Sequence, residues 1–263
     1  MVNVTFLGTG GAFSSGRRTN LALLIEGSDF RMLAESGPMI VEQLDRAKLK
    51  AADVDRLFIT HGHGDHVLGF PMLALNRMAA STPLHVYAGL STLATLRILS
   101  AVSFSSLSPS RDDIRWHELS EEGPDETTWP SGVHLQTVVA DHPPALPTLS
   151  ARWDFEEGGS VTFITDTRPT DISVELARES DLLIHEASFS AVMEPDSDAG
   201  AHWHSTAEEA GEIARRAGCK RLALVHLGPE IGERPDILIE EARGGTDLEV
   251  IVPEDGQRVA LDN

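Results

Sequence analysis

Four side chains that can bind a metal ion lie within six consecutive positions, at His61, His63, Asp65 and His66. An apolar, strand-like run comes directly before them. His61 and His63 alternate along an extended segment and can reach one ion, whereas Gly64 lets Asp65 and His66 turn toward a second. Imidazole and carboxylate groups are ligands that zinc accepts, whereas tag-like histidine runs lie at chain ends and do not interleave glycine and aspartate. The segment therefore predicts a metal site.

Four apolar runs of the sequence end in a residue that could bind metal. They are 57–61, 161–166, 182–185 and 222–226, which end in His61, Asp166, His185 and His226. In layered α/β folds, strand ends gather at one edge of the sheets, and ligands bind there. We therefore expect a common metal pocket, although a single histidine at a strand end is as often a core or cap residue.

The composition is that of an ordinary enzyme. The 263 residues are 41% hydrophobic and 24% charged, which suits a single domain spanning 1–263. Cys219 is the only cysteine, so an intrachain disulfide and a thiolate cluster are both excluded. No apolar run approaches the ~20 residues of a membrane span, and the start does not resemble a signal peptide. We expect no membrane contact and a cytoplasmic protein, and the sequence leaves a homodimer open.

The charge balance constrains the partner. Lysine and arginine number 21 and aspartate and glutamate 41, which gives a formal net charge of −20. Such a surface does not favour a protein that grips long nucleic acid through its general field. A small substrate fits better, and it could still be anionic because bound divalent ions dominate the potential inside a pocket.

Short β-type runs alternate with helical patterns along the chain, which indicates the α/β class. Strands are predicted at 2–6, 21–25, 30–33, 84–87, 133–139, 149–155, 161–165, 182–185, 222–225, 248–252 and 258–261, and helices at 39–47, 67–80, 90–99, 172–180 and 206–217. The segment 103–130 is rich in serine, proline and acidic residues, so it is interpreted as loop with short pieces of structure.

The string His61-Gly62-His63-Gly64-Asp65-His66 resembles the His-x-His-x-Asp-His signature of the metallo-β-lactamase superfamily. Further segments, spread in order over nearly the whole chain, resemble the ribonuclease Z branch. These are Phe6-Leu7-Gly8-Thr9-Gly10, Phe163-Ile164-Thr165-Asp166-Thr167, His185-Glu186-Ala187-Ser188-Phe189 and His204-Ser205-Thr206. The resemblance implies a four-layer αββα sandwich with two zinc ions at one edge of the β layers, with Mn²⁺ or Fe²⁺ as alternatives.

The resemblance also implies the roles of individual residues. The first ion would be held by His61, His63 and His142, the second by Asp65, His66 and His226, and Asp166 would bridge the two. His142 is supported by its place in Asp141-His142-Pro143, after a predicted strand and before a proline-rich turn. Asp65 counts among the catalytic residues as well as the ligands.

Two ions ~3.5–4 Å apart can hold a bridging hydroxide at neutral pH and share the charge that develops on the attacked centre. The leaving oxygen also needs a proton. The resemblance assigns its donation to His204, steered by Glu186. His204 precedes Ser205-Thr206-Ala207-Glu208, which reads as a Ser-x-x-Glu capping box that would fix the start of the following helix.

Three departures from ribonuclease Z affect the expected substrate. Only 23 residues, 143–165, separate His142 from Asp166, whereas the tRNA-processing enzymes insert a long arm there. His226 is followed by Leu227-Gly228-Pro229 rather than by the family's serine and Arg-Tyr pattern, and Glu35 replaces the usual aspartate. With the acidic surface, these departures make tRNA an unlikely partner.

The sequence thus predicts a dinuclear zinc hydrolase that acts on small phosphodiesters. A lactonase, sulfatase or thioesterase on the same metal site is one alternative, since the same hydroxide attacks acyl and sulfuryl centres. A tRNA 3′-end endoribonuclease and a non-hydrolytic metal-binding sensor are the others. The segments 100–130 and 189–203 carry no recognisable chemistry, so the substrate cannot be named from the sequence.

Overall fold

Two β-sheets form the centre of the computed structural model, which describes residues 1–13, 17–104 and 113–261. Within these residues each sheet has seven strands. The first sheet contains β1 (Asn3–Gly8), β2 (Ala22–Glu26), β3 (Arg31–Ala34), β4 (Arg56–Phe58), β5 (Leu84–Gly89), β6 (Ile114–Leu119) and β14 (Gln257–Ala260). The second contains β7 (Asp125–Thr128), β8 (His134–Val139), β9 (Leu149–Asp154), β10 (Ser160–Ile164), β11 (Leu182–Glu186), β12 (Arg221–Val225) and β13 (Glu249–Ile251).

Both sheets have an antiparallel half and a parallel half. The first runs in the order β14-β1-β2-β3-β4-β5-β6 and is parallel from β3 to β6. The second runs in the order β13-β12-β11-β10-β9-β8-β7 and is parallel from β10 to β13. Parallel strands end at the same edge of a sheet, so the residues after β10 and β12 can meet, and the packing of the two sheets brings the residues after β4 to them.

Helices cover the outer face of each sheet. They are α1 (Ile40–Arg46), α2 (Gly64–Val67), α3 (Phe70–Asn76), α4 (Leu90–Ser103), α5 (Asp171–Leu176), α6 (Ala207–Ala217) and α7 (Pro235–Arg243). One apolar core lies between the sheets, a second lies under α1, α3 and α4, and a third lies under α5, α6 and α7. The predicted four-layer αββα sandwich is thereby confirmed. Among the described helices, none has both the length and the apolar character needed to cross a bilayer.

The segment 103–130 contains more regular structure than the sequence suggested. It includes β6 and β7, while residues 105–112 lie outside the described part of the chain. Each of the two is the last strand of its sheet, and its side chains are mostly exposed or half-buried. An edge strand needs fewer apolar residues than a central one, so hydrophobic pattern alone did not reveal these two.

The helices differ from the sequence prediction in two places. Two short helices, α2 and α3, replace the single helix expected at 67–80, and they meet at Gly69, where a Cβ would lie 2.0 Å from the Gly37 carbonyl oxygen. Helix α7 was not predicted. It begins with Pro235 at its N-terminus and buries Leu238 and Ala242 against the third core.

Candidate metal centre and active site

Three histidines and one aspartate converge where β4 ends and form the first group of possible metal ligands: His61, His63, His142 and Asp166. The Nε2 atom of His61 lies 2.8 Å from Nδ1 of His63, and Nε2 of His142 lies 3.4 Å from the same atom. All four ligand atoms lie within 4.8 Å of one another. Ligand atoms this close to one another can bind a single cation together.

Asp65, His66 and His226 form a second group beside the first. Helix α2 starts at Gly64 and turns Asp65 and His66 away from the extended segment that carries His61 and His63. The Oδ2 atom of Asp65 lies 3.2 Å from Nε2 of His66 and 3.3 Å from Nε2 of His226. The structure thus brings together all seven residues predicted as ligands, in the two groups that were expected.

Asp166 lies between the two groups, directly after β10. Its Oδ2 atom is 3.7 Å from Nε2 of His61 in the first group. Its Oδ1 atom is 3.6 Å from Nε2 of His66 and 3.4 Å from Nε2 of His226 in the second. Because each carboxylate oxygen faces a different group, Asp166 has the position of a bridging ligand.

The surroundings of His66 test whether these residues fit a cation. His66 is fully buried, and neither of its ring nitrogens makes a hydrogen bond of acceptable geometry, although Asp65 and Glu35 carboxylate oxygens lie 3.2 Å away. Its ring nitrogens thus have only ion-pair contacts with carboxylates. A cation at Nε2 would satisfy that nitrogen together with the neighbouring carboxylates, and imidazole and carboxylate donors suit zinc, manganese or iron. The donor set therefore fits a divalent metal.

The electrostatics of the pocket favour a cation. Burial lowers the pKa of His61, His63 and His142, and neutral imidazole is the form that binds metal. Burial also acts to lower the pKa of His66, but the carboxylates of Glu35 and Asp166 outweigh it and raise that pKa well above its ordinary value. The negative charge of these carboxylates therefore stabilises a positive charge in the pocket, and a divalent ion would supply one.

The contacts of His204 suit a proton donor. Its Nδ1 atom lies 3.0 Å from both carboxylate oxygens of the buried Glu186, and these oxygens also accept hydrogen bonds from the Thr167 amide and the Ser188 hydroxyl. Burial acts to lower the pKa of His204, but Glu186 outweighs it and raises that pKa to about 9. Asp166 and His226 also have ligand atoms within 4.8 Å of a ring nitrogen of His204. The position of His204 therefore suits a metal ligand as well as a proton donor.

The capping box before α6 lies one residue later than predicted. Thr206, not Ser205, is the N-cap, since its hydroxyl accepts from the Glu209 amide and the Glu209 carboxylate accepts from the Thr206 amide. The sequence fits the capping-box pattern twice, once from Ser205 to Glu208 and once from Thr206 to Glu209. Ser205 is instead buried and donates to the Thr167 carbonyl at 2.7 Å, which ties the His204 loop to the segment after β10.

His185, one of the four residues at the ends of apolar runs, does not join the groups of possible ligands among the described residues. It is fully buried, and its Nδ1 donates to the Glu186 carbonyl at 2.8 Å. Successive side chains of a strand point to opposite faces, so only one of the neighbours His185 and Glu186 can reach the pocket. Glu186 is the one that does.

Outer contacts orient the histidines, and sequence reasoning assigned them no role. Glu35 Oε2 faces Nδ1 of His66, Ser188 Oγ lies 2.9 Å from Nδ1 of His226, and the Trp203 carbonyl oxygen lies 3.3 Å from Nδ1 of His142. Each contact leaves the Nε2 atom of its histidine for the metal. The signal for Glu35 was present, since it is a charged residue directly after an apolar strand. In the sequence alone, however, Glu35 stands out only as a departure from the family.

Backbone strain concentrates around the pocket. Six non-glycine residues of the described chain have a positive φ, and four of them belong to the site: Glu35 (74°), Asp166 (50°), Trp203 (63°) and His226 (56°). Aspartate and histidine adopt this region more readily than glutamate or tryptophan. Trp203 is clamped by Arg168, whose guanidinium lies 4.0 Å from the indole ring and makes two 2.9 Å hydrogen bonds to Asp141.

Comparisons with known proteins agree with this geometry. Residues 30–227 match the family described as beta-lactamase superfamily domain. A curated protein named Ribonuclease Z from Natronomonas pharaonis is 33% identical over 305 aligned positions, which cover 99% of this chain and 98% of the relative.

Two solved structures have similar folds. Human tRNase Z, short form, superposes with a TM-score of 0.80 at 26% identity and covers 99% of this chain and 100% of its own. The metallo-beta-lactamase fold protein YhfI from Bacillus subtilis has a TM-score of 0.81 at 22% identity, with 98% of both chains covered. The chain therefore belongs to the beta-lactamase superfamily, in its ribonuclease Z-like branch, and is a metal-dependent hydrolase whose histidine and aspartate cluster is the candidate metal site.

Proposed function

We propose that the chain is a single hydrolase domain that holds two zinc ions and hydrolyses small phosphodiesters. The observation that carries the proposal is the position of Asp166, whose two carboxylate oxygens face two separate groups of histidine and aspartate ligands. His61, His63 and His142 would hold one ion, and Asp65, His66 and His226 the other. When bound, such ions supply Lewis acidity and lower the pKa of a water toward neutrality.

The residues around the metal groups supply what a phosphodiester with a poor leaving group needs. Glu186 raises the pKa of His204 to about 9, which favours the protonated imidazole that a proton donor requires. Nδ1 is engaged with Glu186, so Nε2 is the atom that would donate to the leaving oxygen. Ser188 donates to the Glu186 carboxylate and holds the pair in place.

A panel of chromogenic substrates tests the bond type. We expect the metal-quantified protein to hydrolyse bis(p-nitrophenyl) phosphate at a rate at least tenfold above its rates on p-nitrophenyl sulfate and on a chromogenic lactone. The same protein stripped by a chelator provides the control and should lose the phosphodiesterase activity. A preference for the lactone or the sulfate ester would replace the phosphodiesterase with the corresponding esterase on the same metal site.

The structure favours a small substrate. Strands β9 and β10 take up about half of the stretch 143–165. The remaining residues are enough for turns but not for the long arm of the tRNA-processing enzymes. The alignment with the Natronomonas protein spans 305 positions, 42 more than the 263 residues of this chain, so the relative carries insertions that this chain lacks. Combined with a net charge of −20, these features leave little to hold a folded RNA.

Cleavage of the 3′ end of precursor tRNA is the second candidate, and the curated relatives named Ribonuclease Z favour it. We expect the protein to hydrolyse bis(p-nitrophenyl) phosphate and yet to bind precursor tRNA only weakly, with a Kd above ~10 μM at physiological salt. A gel-shift titration and an RNA cleavage assay on one preparation measure both. Efficient and site-specific cleavage of precursor tRNA would establish the second candidate and exclude the restriction to small substrates.

A further inference from the structure

Arg168 connects segments of the site that are distant in sequence, although it is not itself a candidate metal ligand. Its guanidinium donates two 2.9 Å hydrogen bonds to the carboxylate of Asp141, and its backbone N–H donates to the Asp141 carbonyl at 3.1 Å. The Cζ atom of Arg168 also lies 4.0 Å from the centre of the Trp203 ring. The chain neighbours of these two partners are the candidate ligand His142 and the candidate proton donor His204. Arg168 therefore ties together the two loops that carry His142 and His204.

Trp203 presents its backbone to the metal centre and its ring to Arg168. Its carbonyl oxygen lies 3.3 Å from Nδ1 of His142 and accepts a hydrogen bond from it, which leaves Nε2 of that histidine for a metal. Trp203 ends a short 3₁₀ turn, Gly200–His202, with φ 63° and ψ 33°. A bulky residue with a left-handed backbone persists only where its neighbours hold it. The guanidinium stacked on the indole is such a neighbour.

The Arg168–Asp141 pair orients its partners more than it stabilises the fold. The two side chains are 38% and 40% exposed, and ion pairs this exposed contribute little to stability. The planar guanidinium nevertheless matches a carboxylate at its edge and an aromatic ring at its face, so it fixes both at once. A displaced Trp203 would carry its carbonyl oxygen away from His142. The contact that would be lost without Arg168 is therefore the one that orients His142.

We propose that Arg168 is a positioning residue for the first metal ion. It holds the Trp203 carbonyl against Nδ1 of His142 and thereby aims Nε2 of His142 at the ion. The inference rests on the two-ion centre of the proposed function, but it is independent of the bond that is hydrolysed. Loss of an outer contact to a metal-bound histidine typically weakens metal binding by about 10- to 100-fold.

The histidines of the second group take their orientation from other residues. Nδ1 of His66 faces Glu35 Oε2 at 3.2 Å, and Nδ1 of His226 lies 2.9 Å from Ser188 Oγ. Glu35 follows β3 and Ser188 follows β11, so neither belongs to the segments that Arg168 contacts. A change at Arg168 should therefore weaken the binding of the first ion and spare the second.

Competition titrations of the metal-free protein with Zn²⁺ and a chromogenic chelator measure the two dissociation constants. Arg168→Ala should raise one Kd by about 10- to 100-fold and leave the other unchanged. Arg168→Lys keeps the charge but loses the planar fork, so it should also raise that Kd. Arg178→Ala is the matched control, because Arg178 is paired with Glu175 on the exposed surface beside α5. It should change neither constant.

A double-mutant cycle shows whether Arg168 acts through His142. In a His142→Ala background, where the first ion binds more weakly and needs a weaker competing chelator, Arg168→Ala should cause no further loss. The visible absorption of the Co²⁺-loaded protein gives a second readout, because it depends on the ligands and geometry of each ion. Arg168→Ala should alter the spectrum of one Co²⁺ ion, while the far-ultraviolet circular dichroism stays that of the wild type.

The inference is wrong if Arg168→Ala leaves both constants unchanged, or weakens both ions equally, while the wild-type protein binds two ions. A loss of the same size with and without His142 would also overturn it, since Arg168 would then support the pocket as a whole. A wild-type protein that binds fewer than two ions would instead reject the two-ion centre of the proposed function, and the selective effect on one ion would fall with it.

Discussion

Asp166→Ala is expected to reduce the metal content, which we propose to be two ions per chain, to one or none and to abolish hydrolysis. Within the described part of the chain, the substitution removes the only carboxylate whose oxygens face both ligand groups, at 3.7 Å from His61 on one side and 3.4 Å from His226 on the other. Asp65 and Glu35 are engaged with His66 and cannot replace it. Metal analysis of dialysed protein, together with phosphodiesterase rates, measures both losses.

Asp171→Ala is the control for Asp166→Ala, since Asp171 is an exposed carboxylate at the start of α5 whose partner is Arg216 on the surface. It should keep the full metal content and the wild-type rate. Circular dichroism establishes that both variants are folded. Two ions per chain and retained turnover in Asp166→Ala would reject the bridging role.

His204→Ala is expected to keep both ions and to lower kcat by roughly 10²–10⁴-fold on a phosphodiester that releases an unactivated alcohol. Without His204 no acid is paired with Glu186 to protonate the leaving oxygen. A phosphodiester that releases p-nitrophenolate needs little protonation, so the same variant should lose far less activity on it. Comparing the two substrates therefore isolates proton donation from every other effect of the substitution.

His134→Ala is the control for His204→Ala, because His134 is partly exposed on β8 and its neighbours are Glu126 and Thr128. It should change neither metal content nor rate. The second interpretation of His204 has a structural basis, because its ring nitrogen lies within 4.8 Å of ligand atoms of Asp166 and His226. Loss of metal would establish that interpretation, and equal losses on both substrates with the metal retained would mean that His204 positions the substrate instead of donating a proton.

The parts of the site that could be predicted from the sequence are those whose spacing is local. His61, His63, Asp65 and His66 lie within six residues, and the glycine between the two pairs predicted the change of direction that α2 provides. The more distant ligands were located through the ends of apolar strands, because parallel strands deliver their ends to one edge. His142, which follows a strand by three residues, required the family resemblance as well.

The features that the sequence left undetermined depend on side-chain direction or on strand pairing. His185 and Glu186 are neighbours at the end of β11, and only the parity of the strand decides which one reaches the pocket. The contacts of Ser188 with His204 and His226 depend on the fold, because these histidines lie 16 and 38 positions away in the sequence. The edge strands β6 and β7 are held by pairing with β5 and β8, and their exposed faces carry too few apolar residues to mark them.

The left-handed backbone of several site residues lowers the stability of the fold, although the same residues supply the candidate metal ligands and their neighbours. Each non-glycine residue in this region costs about 1–3 kcal/mol, and Glu35, Asp166, Trp203 and His226 all lie there. A glycine at position 166 or 226 would delete a ligand and relieve strain in the same step. In the metal-free protein such a glycine is expected to raise the free energy of unfolding, whereas in the metal-loaded protein the lost metal binding would offset that gain. Any programme that stabilises the protein should accordingly score metal content in parallel with the melting temperature.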